Sequence, residues 1–264
     1  MIAVDIGATW LRVGLHDWDS PLVIPTPRTR DELIFEIARL VEQYPEETAL
    51  GVACPGIVEQ DGYVRLSFLQ QINDLAFRAK LEIATSIGAV VLNDVDAQGR
   101  GAARDGEGLV VLGCGTRIGG SFVDSFGRSS RRGSYQGEFG HLPCGVSSTE
   151  SCECGADDCL DLAIAGFQLE KRYGAWWESE PSRATVVDVA AVCLARAIRS
   201  LQVSLGPDRI LITGRLAALT ELPGRIAELT SLTIWTDTVV EFEDATWPLV
   251  CAGLMKAITG PRHQ

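Results

Sequence analysis

Four potential metal ligands lie close together in the second half of the chain. Cys152, Cys154 and Cys159 follow His141, which is one of only three histidines among the 264 residues. Three thiolates and one imidazole make a complete tetrahedral set for zinc, and a fully protein-ligated zinc is a structural one. The alternative is a group of free or disulfide-bonded cysteines beside an ordinary histidine. The spacing favours structural Zn²⁺, which would fold this segment into a defined loop.

The charge of the chain limits its partners. The formal net charge is −12, whereas binding a nucleic-acid backbone needs clustered Lys and Arg, so we expect no nucleic acid as a partner. The short basic segment Arg128–Ser134 is interspersed with Ser and Gly, and we interpret it as a solvated loop. No apolar run reaches the ~20 residues that a membrane-spanning helix needs, so we expect no membrane partner either.

The N-terminal segment and the cysteines indicate the cellular compartment of the protein. The first predicted strand begins at Ile2, so we expect neither a signal peptide nor a preceding DNA-binding module. Without an export signal, and with cysteines in metal-ligand spacing, we expect a cytoplasmic protein with reduced thiols.

A glycine-rich turn, Asp5–Thr9, separates the predicted strands Ile2–Asp5 and Leu11–Leu15. Gly7 permits positive φ, and small residues there let a ligand approach the backbone. An acidic residue beside such a turn can hold hydrated Mg²⁺, while the amides and a threonine hydroxyl meet phosphate oxygens. Many hairpins contain this pattern, so it is a weak signal by itself.

A second glycine-rich turn lies within Gly113–Val123, directly after the predicted strand Leu109–Leu112. Its backbone amides are again suited to wrapping phosphate groups. Two such hairpins in one chain are more informative than either alone.

Asn93 and Asp94 follow the predicted buried strand Ala89–Leu92 and precede a helix of small residues. The carboxyl end of a parallel strand is where α/β folds place their chemistry. Either residue could instead be an ordinary helix cap. From position alone the two interpretations stay open.

The order strand hairpin, helix, strand, helix occurs once before about residue 105 and again after it. We therefore predict an α/β fold of two lobes, residues 1–105 and 106–264, in which the final helix 249–258 can pack back on the first lobe. The glycine turns and Asp94 would face a cleft between the lobes.

Taken together, the motifs resemble those of sugar kinases of the ROK family (repressors, open reading frames and kinases), in the actin and hexokinase superfamily. The resemblance rests on Asp5–Thr9 for the first phosphate motif, Asn93–Ala97 for the stretch with the catalytic base, Gly115–Gly120 for the second phosphate loop, Glu138–His141 for E-x-G-H, Cys152–Asp161 for the zinc and sugar segment, and Thr213–Ala217 for the adenosine turn. It implies a two-lobed actin/hexokinase-like (ribonuclease H-like) fold with an interlobe cleft and a zinc-bound loop.

The resemblance also implies roles. Asp94 would be the general base toward a hydroxyl of a hexose. The sugar would be bound by Asn93, Glu138, His141 and Asp161, and His141 would offer its second ring nitrogen to zinc. The phosphates and adenosine of ATP, with Mg²⁺, would be surrounded by Asp5, Gly7, Thr9, Gly115, Thr116, Gly119 and Gly214. Homo-oligomers, dimers or tetramers, are common in the family.

This chain departs from the family pattern at several positions. Ala8, Arg117 and Arg215 each stand where the family has Gly, and all three lie in nucleotide motifs. Asp161 replaces the usual Glu and shortens the reach to the sugar by one methylene. Two interpretations follow: an ATP-dependent hexokinase acting on a glucose-like sugar, or a non-catalytic sugar sensor whose nucleotide site has decayed. A kinase with an altered phosphoryl donor is a further alternative, because two arginines near the phosphates could accept a polyanion.

Overall fold

The computed structural model describes residues 1–129, 135–230 and 237–260. Most of the predicted basic loop Arg128–Ser134 lies outside the described residues. The strands are β1 (Ile2–Ile6), β2 (Trp10–Leu15), β3 (Leu22–Pro25), β4 (Ala49–Cys54), β5 (Ile57–Val58), β6 (Val64–Leu66), β7 (Gly88–Asn93), β8 (Leu109–Cys114), β9 (Ile118–Val123), β10 (Arg209–Gly214) and β11 (Val239–Glu243). The helices are α1 (Arg30–Val41), α2 (Phe77–Thr85), α3 (Asp94–Ala102), α4 (Leu160–Ile164), α5 (Gly166–Tyr173), α6 (Glu180–Leu205), α7 (Leu222–Thr230) and α8 (Thr246–Thr259).

The chain divides into two compact units. The first comprises Met1–Ala103, Tyr135 and the described residues from Thr246 onward. The second comprises the other described residues between Arg104 and Ala245.

The first unit is built on a mixed sheet with the strand order β3-β2-β1-β4-β7. β1 pairs antiparallel with β2 and parallel with β4, which in turn pairs parallel with β7. All five residues of β1 are buried, as expected of a central strand covered on both faces. Because β1, β4 and β7 run in the same direction, Asp5, Cys54 and Asn93 lie at the same edge of the sheet.

Helices cover both faces of this sheet. On one face α1 buries Leu33, Ile37 and Leu40 in the core, and each such side chain contributes about 1.5–3 kcal/mol of transfer free energy. The predicted capping box at the start of α1 is confirmed: Thr29 and Glu32 exchange side chain-to-backbone hydrogen bonds.

On the other face α8 packs against α3 at very short distance. A Cβ atom on Gly253 would lie 1.9 Å from the carbonyl oxygen of Ala97, and one on Gly101 would lie 1.9 Å from that of Leu249. Both positions therefore require glycine for steric reasons. The small residues of α3 serve this close contact, which holds the helix that begins at Asp94.

The second unit contains a sheet with the strand order β11-β10-β8-β9. β8 and β9 form an antiparallel hairpin, while β10 runs parallel to both β8 and β11. The long helix α6 buries the predicted apolar face, which consists of Val187, Ala191, Leu194, Ile198 and Leu201. No helix of the described residues is long and apolar enough to cross a membrane.

The structure corrects one helix that the sequence pattern predicts. The pattern indicates a continuous helix over Cys159–Tyr173, but the segment divides into α4 and α5 at Ala165, whose ψ of 145° is not helical. The reason is tertiary: the amides of Gly166 and Phe167 donate to the carbonyl oxygens of Gly115 and Thr116, at 3.0 and 3.2 Å. These contacts tie the start of α5 to the second glycine-rich turn.

Candidate active site and zinc segment

The first glycine-rich turn is held by hydrogen bonds within its own sheet. The amide of Gly7 donates to the carbonyl oxygen of Trp10 at 3.0 Å, and the hydroxyl of Thr26 donates to that of Gly7 at 2.8 Å. Gly7 does not adopt the positive φ that the sequence suggested. A Cβ atom there would lie 3.0 Å from the Trp10 oxygen, so a larger residue would require a small shift of the backbone. Thr9, at the tip of the turn, is exposed.

Asp5 is 6% exposed at the end of β1 and pairs with Arg12 on the neighbouring strand. The Arg12 Nη1 donates to Asp5 Oδ2 at 2.9 Å. Burial raises the pKa of Asp5 above its ordinary value, and the Arg12 guanidinium only partly opposes this effect. A cation bound beside Asp5 would favour the ionised carboxylate further.

Both Asn93 and Asp94 contact backbone amides at the start of α3, and Asp94 Oδ1 accepts from the Val95 amide at 3.0 Å. Asn93 is the helix cap: its Oδ1 accepts from the amides of Val95 and Asp96, both at 3.0 Å, and its Nδ2 donates to the carbonyl oxygen of Gly56 at 2.9 Å. Asp94 is the first residue of α3 and is partly exposed. The N-terminus of a helix stabilises a carboxylate at this position.

Asp5 and Asp94 belong to one electrostatic environment. Burial raises the pKa of the Cys54 thiol well above its ordinary value, and the negative charges of Asp94 and Asp5 add to the effect. Cys54 ends β4, between the strands that lead to the two aspartates. The edge of this sheet therefore brings together both acidic residues predicted for the first unit.

The second glycine-rich turn joins β8 to β9 and exposes Gly115 and Thr116. The amide of Gly115 donates to the carbonyl oxygen of Arg117 at 3.1 Å, which closes the turn. Gly119, in β9, pairs with Gly113 of β8. A Cβ atom on Gly166 would lie 2.7 Å from the Gly115 oxygen, so α5 can approach the turn only with glycine at its first position.

Arg117 points to carboxylates of its own unit. Its Nη1 donates to Asp161 Oδ2 at 3.0 Å and to Glu153 Oε1 at 2.6 Å. The guanidinium carbon lies 5.4 Å from the centre of the Phe167 ring, within the range of a cation–π contact. At a position where the family pattern has glycine, this chain therefore has an arginine that pairs with Glu153 and Asp161.

Asp161 is 2% exposed in the first turn of α4. Its Oδ1 accepts from the Ile118 amide at 2.8 Å, and its Oδ2 accepts from Arg117. Burial raises the pKa of Asp161, while the Ile118 amide and the charges of Arg117 and His141 oppose this shift. Both carboxylate oxygens therefore have protein donors.

The four predicted zinc ligands converge. One candidate ligand atom from each of His141, Cys152, Cys154 and Cys159 lies within 4.8 Å of the others, and the His141 Nδ1 is 3.5 Å from the Cys152 Sγ. All eight cysteines are free thiols. Three thiols and an imidazole this close match the donor set of structural zinc. The residues present therefore fit a zinc ion.

Glu138 and His141 are positioned by β9. Glu138 precedes and His141 ends a single 3-10 turn, Phe139–His141, in which the His141 amide donates to the Glu138 carbonyl oxygen at 3.0 Å. A Cβ atom on Gly140 would lie 2.1 Å from the Ile118 oxygen. The glycine of the E-x-G-H pattern therefore permits close packing, and Glu138 itself is partly exposed.

The predicted adenosine turn contains a glycine with positive φ and an arginine that is paired with a carboxylate. Gly214 has a φ of +84°, and a Cβ atom there would lie 2.7 Å from the Cys114 oxygen. Arg215 begins a 3-10 helix, pairs with Glu170 and lies 4.9 Å from the Trp177 ring centre. Trp177 is 45% exposed.

Several side chains of these sites were not predicted from the sequence. Arg12 and Thr26 hold the first turn, whereas Glu153 and Phe167 contact Arg117. Only Arg12 had a visible signal: it is the one charged residue of β2, and the predicted hairpin places it near Asp5. The other three depend on contacts distant in sequence.

Known proteins resemble this chain over most of its length. A model of the ROK family matches residues 1–242. The glucokinase of Halalkalibacterium halodurans is 22% identical over 261 residues, which cover 81% of this chain and 79% of the relative. The kanosamine kinase of Amycolatopsis mediterranei is 28% identical over 207 residues, which cover 71% and 68%.

Solved structures share the fold. A ROK family glucokinase from Streptomyces griseus, in complex with glucose and AMPPNP, matches with a TM-score of 0.80 at 19% identity, over 97% of this chain and 98% of that one. The α/β architecture is therefore that of the ROK hexokinases, within the actin/hexokinase-like class. With the family model matching most of its length, the chain belongs to the ROK family.

Proposed function

We propose that this protein is a sugar kinase that transfers the γ-phosphoryl group of ATP to a hydroxyl of a glucose-like hexose. The observation that carries the proposal is the arrangement of Asn93 and Asp94 where β7 ends and α3 begins. Asn93 caps α3 through the amides of both Val95 and Asp96, so the cap remains without Asp94, whose Oδ1 accepts from the Val95 amide as well. A carboxylate at the start of a helix and at the carboxyl edge of a parallel sheet is suited to act as general base.

The sugar would be held by Asn93, Glu138, His141 and Asp161, as in the family pattern. With Nδ1 of His141 directed to the cysteines, its Nε2 would be the nitrogen offered to a hydroxyl. A structural zinc would then set the orientation of the ring and the position of the segment around it. Loss of zinc should therefore affect sugar binding before it affects the rest of the fold.

The phosphates would be received by the two glycine-rich turns, through Asp5, Gly7 and Thr9 in one and Gly115, Thr116 and Gly119 in the other, with Gly214 near the adenosine. Mg²⁺, held through water near Asp5, would neutralise the charge that develops on the transferred group. Asp5 is buried at the strand end, which suits it to orient such waters rather than to exchange partners with solvent.

The test is phosphorylation of a panel of hexoses by the zinc-loaded protein with Mg·ATP, comparing the wild type with Asp94→Asn. We expect turnover with a glucose-like sugar and a decrease in kcat of about 10²–10⁴ in the variant, the range attributed to general-base catalysis. Sugar affinity, measured by calorimetry, should change little. Equal loss of turnover and binding would make Asp94 a binding residue.

Asp31→Asn is the matched control. Asp31 also lies in the first turn of a helix, α1, but is exposed and outside the sites described above. Its amide variant should keep wild-type turnover.

A non-catalytic sugar sensor is the second candidate. Its supporting observation is that Arg117 and Arg215, both within nucleotide motifs, are paired with carboxylates of the same unit. Sugar binding without Mg·ATP binding at millimolar concentration would favour the sensor. Phosphorylation with polyphosphate in place of ATP would instead indicate an altered donor.

A further inference from the structure

Arg117 links two segments that are far apart in sequence. It belongs to the turn between β8 and β9, yet its Nη1 donates to Glu153 and Asp161 at 2.6 and 3.0 Å. Glu153 stands between two predicted zinc ligands, Cys152 and Cys154, and Asp161 follows the third, Cys159, by two residues. We call residues 138–161, which contain the four predicted zinc ligands, the zinc segment. One guanidinium group therefore contacts both ends of the cysteine-rich part of this segment.

The turn has further attachments to the same region. The Ile118 amide donates to Asp161 at 2.8 Å, and the carbonyl oxygens of Gly115 and Thr116 accept from the first residues of α5. Asp161 accepts from both the backbone and the side chain of adjacent residues of the turn. Gly115 and Thr116 are thus held by the start of α5, which is joined to the predicted zinc ligand Cys159 through the short helix α4.

A phosphate-binding arginine would have a different environment. Such a side chain needs donors directed at the ligand, whereas the Arg117 guanidinium is covered by the Phe167 ring and bound to two carboxylates. Releasing it would leave Asp161, 2% exposed, without its charged partner, and an unpaired buried charge is unfavourable. The contacts favour a role for Arg117 as a tether, which holds the turn to the zinc segment, over a role as a ligand of phosphate.

We propose that Arg117 is a positioning residue that ties the second glycine-rich turn to the zinc segment, so that zinc occupancy and nucleotide binding at the turn strengthen each other. The part that concerns zinc stands on the contacts alone, and the part that concerns nucleotide rests on the proposed function. Because coupling between the binding free energies of two sites is reciprocal, a nucleotide that binds more tightly when zinc is present must also raise the affinity for zinc, and we expect this gain to appear as slower zinc release.

The experiment measures zinc release from the full-length, zinc-loaded protein to a chromogenic chelator, without sugar or nucleotide. We expect Arg117→Gln to bind zinc about tenfold more weakly than the wild type, as for other residues that support metal ligands, and therefore to release zinc faster. Glu153→Gln should show a smaller effect, and the double variant less than the sum of the two. Circular dichroism should confirm that each variant is folded.

Lys171→Gln is the control. Lys171 also pairs with a carboxylate of the zinc segment, Glu150 at 2.5 Å, but it lies on α5 and not on the turn. Its variant should release zinc at the wild-type rate. Equal rates of zinc release from the wild type and from Arg117→Gln would overturn the proposal that Arg117 is a tether.

A second measurement addresses the nucleotide. Mg·ADP should slow zinc release from the wild type and should leave the rate of Arg117→Gln unchanged. An Arg117→Gln variant that binds Mg·ADP more weakly, with zinc release still slowed by nucleotide, would make Arg117 a phosphate ligand and overturn the coupling. If Mg·ADP does not bind the wild type, the kinase proposal fails, while faster zinc release from Arg117→Gln would still support the tether.

Discussion

The two glycine-rich turns look alike in sequence but are supported in different ways. Each follows an apolar strand, and each lies beside a buried aspartate that pairs with an arginine at about 3 Å. In the first turn the pair is Asp5 and Arg12, seven residues apart on adjacent strands. In the second it is Asp161 and Arg117, which are 44 residues apart.

This difference has an energetic consequence. A pair within one hairpin forms as soon as its two strands meet, whereas the entropic cost of closing a loop rises with its length. The second pair needs the zinc segment to return to the β8–β9 hairpin. The first turn should therefore depend only on its own sheet, and the second should depend on zinc.

The largest expected effect comes from removing a zinc ligand. Cys159→Ser should abolish stoichiometric zinc and increase amide hydrogen exchange at residues 113–118 and 138–161, because structural zinc supplies folding free energy to its segment. Exchange at residues 2–9 should stay unchanged. Mass spectrometry with peptide-resolved exchange measures both regions together.

Cys251→Ser is the control for that experiment, since Cys251 is also buried but lies on α8, away from the ligands. It should keep its zinc. A metal-free wild-type protein with a protected, ordered zinc segment would contradict the zinc assignment.

An intermediate effect is expected from adding a methyl group where each turn is closely packed. Gly166→Ala places a Cβ atom 2.7 Å from a backbone oxygen of the second turn, and Gly7→Ala places one 3.0 Å from a backbone oxygen of the first. Overpacking of this kind costs about 1–3 kcal/mol, and Gly166→Ala should lie at the upper end because it must move the turn. Denaturant unfolding measures both.

Gly224→Ala provides the reference for those two variants. This glycine lies in α7, and a Cβ atom added to it would meet no other atom within 4 Å, so alanine should be neutral or stabilising by up to about 1 kcal/mol. A destabilisation as large as that of Gly166→Ala would show that packing at the turn is not the cause.

The smallest expected effect concerns the pH dependence of the first turn. Because burial raises the pKa of Asp5 in the folded state, its contribution to stability is greatest below the ordinary Asp value of about 4 and is lost as pH rises through the folded pKa. Asp5→Asn should therefore raise Tm at pH 7 by about 2–4 °C, and this gain should vanish at about pH 3.5.

Asp124→Asn should show the opposite sign. Burial acts to raise the pKa of Asp124, but hydrogen bonds from Arg128 and Phe126 outweigh it, so the net shift is downward. Its ionised form stabilises the fold above the ordinary pKa, and the amide should lower Tm at pH 7. If the two variants changed Tm at pH 7 in the same direction, the raised pKa of Asp5 would be contradicted.

Much of this architecture was predictable from local pattern. Apolar runs and turn residues located β1, β2, β7 and β8, and the capping box located the start of α1. The convergence of the four candidate zinc ligands was predictable because soft ligands at short spacing are rare without a metal. The interruption at Ala165 was not, because the residues on either side form an uninterrupted helical pattern.

The sequence by itself determined which chemical groups are available and which elements carry them: four candidate zinc ligands, two glycine-rich turns and an Asn-Asp pair at a strand end. These are local properties, set by residue type and spacing. Only the tertiary structure decided how the groups are partnered. It made Asn93 the cap, paired Arg12 with Asp5, and turned Arg117 toward Asp161 and Glu153. Such pairings depend on distances between segments remote in sequence, which only the packed sheets and helices establish.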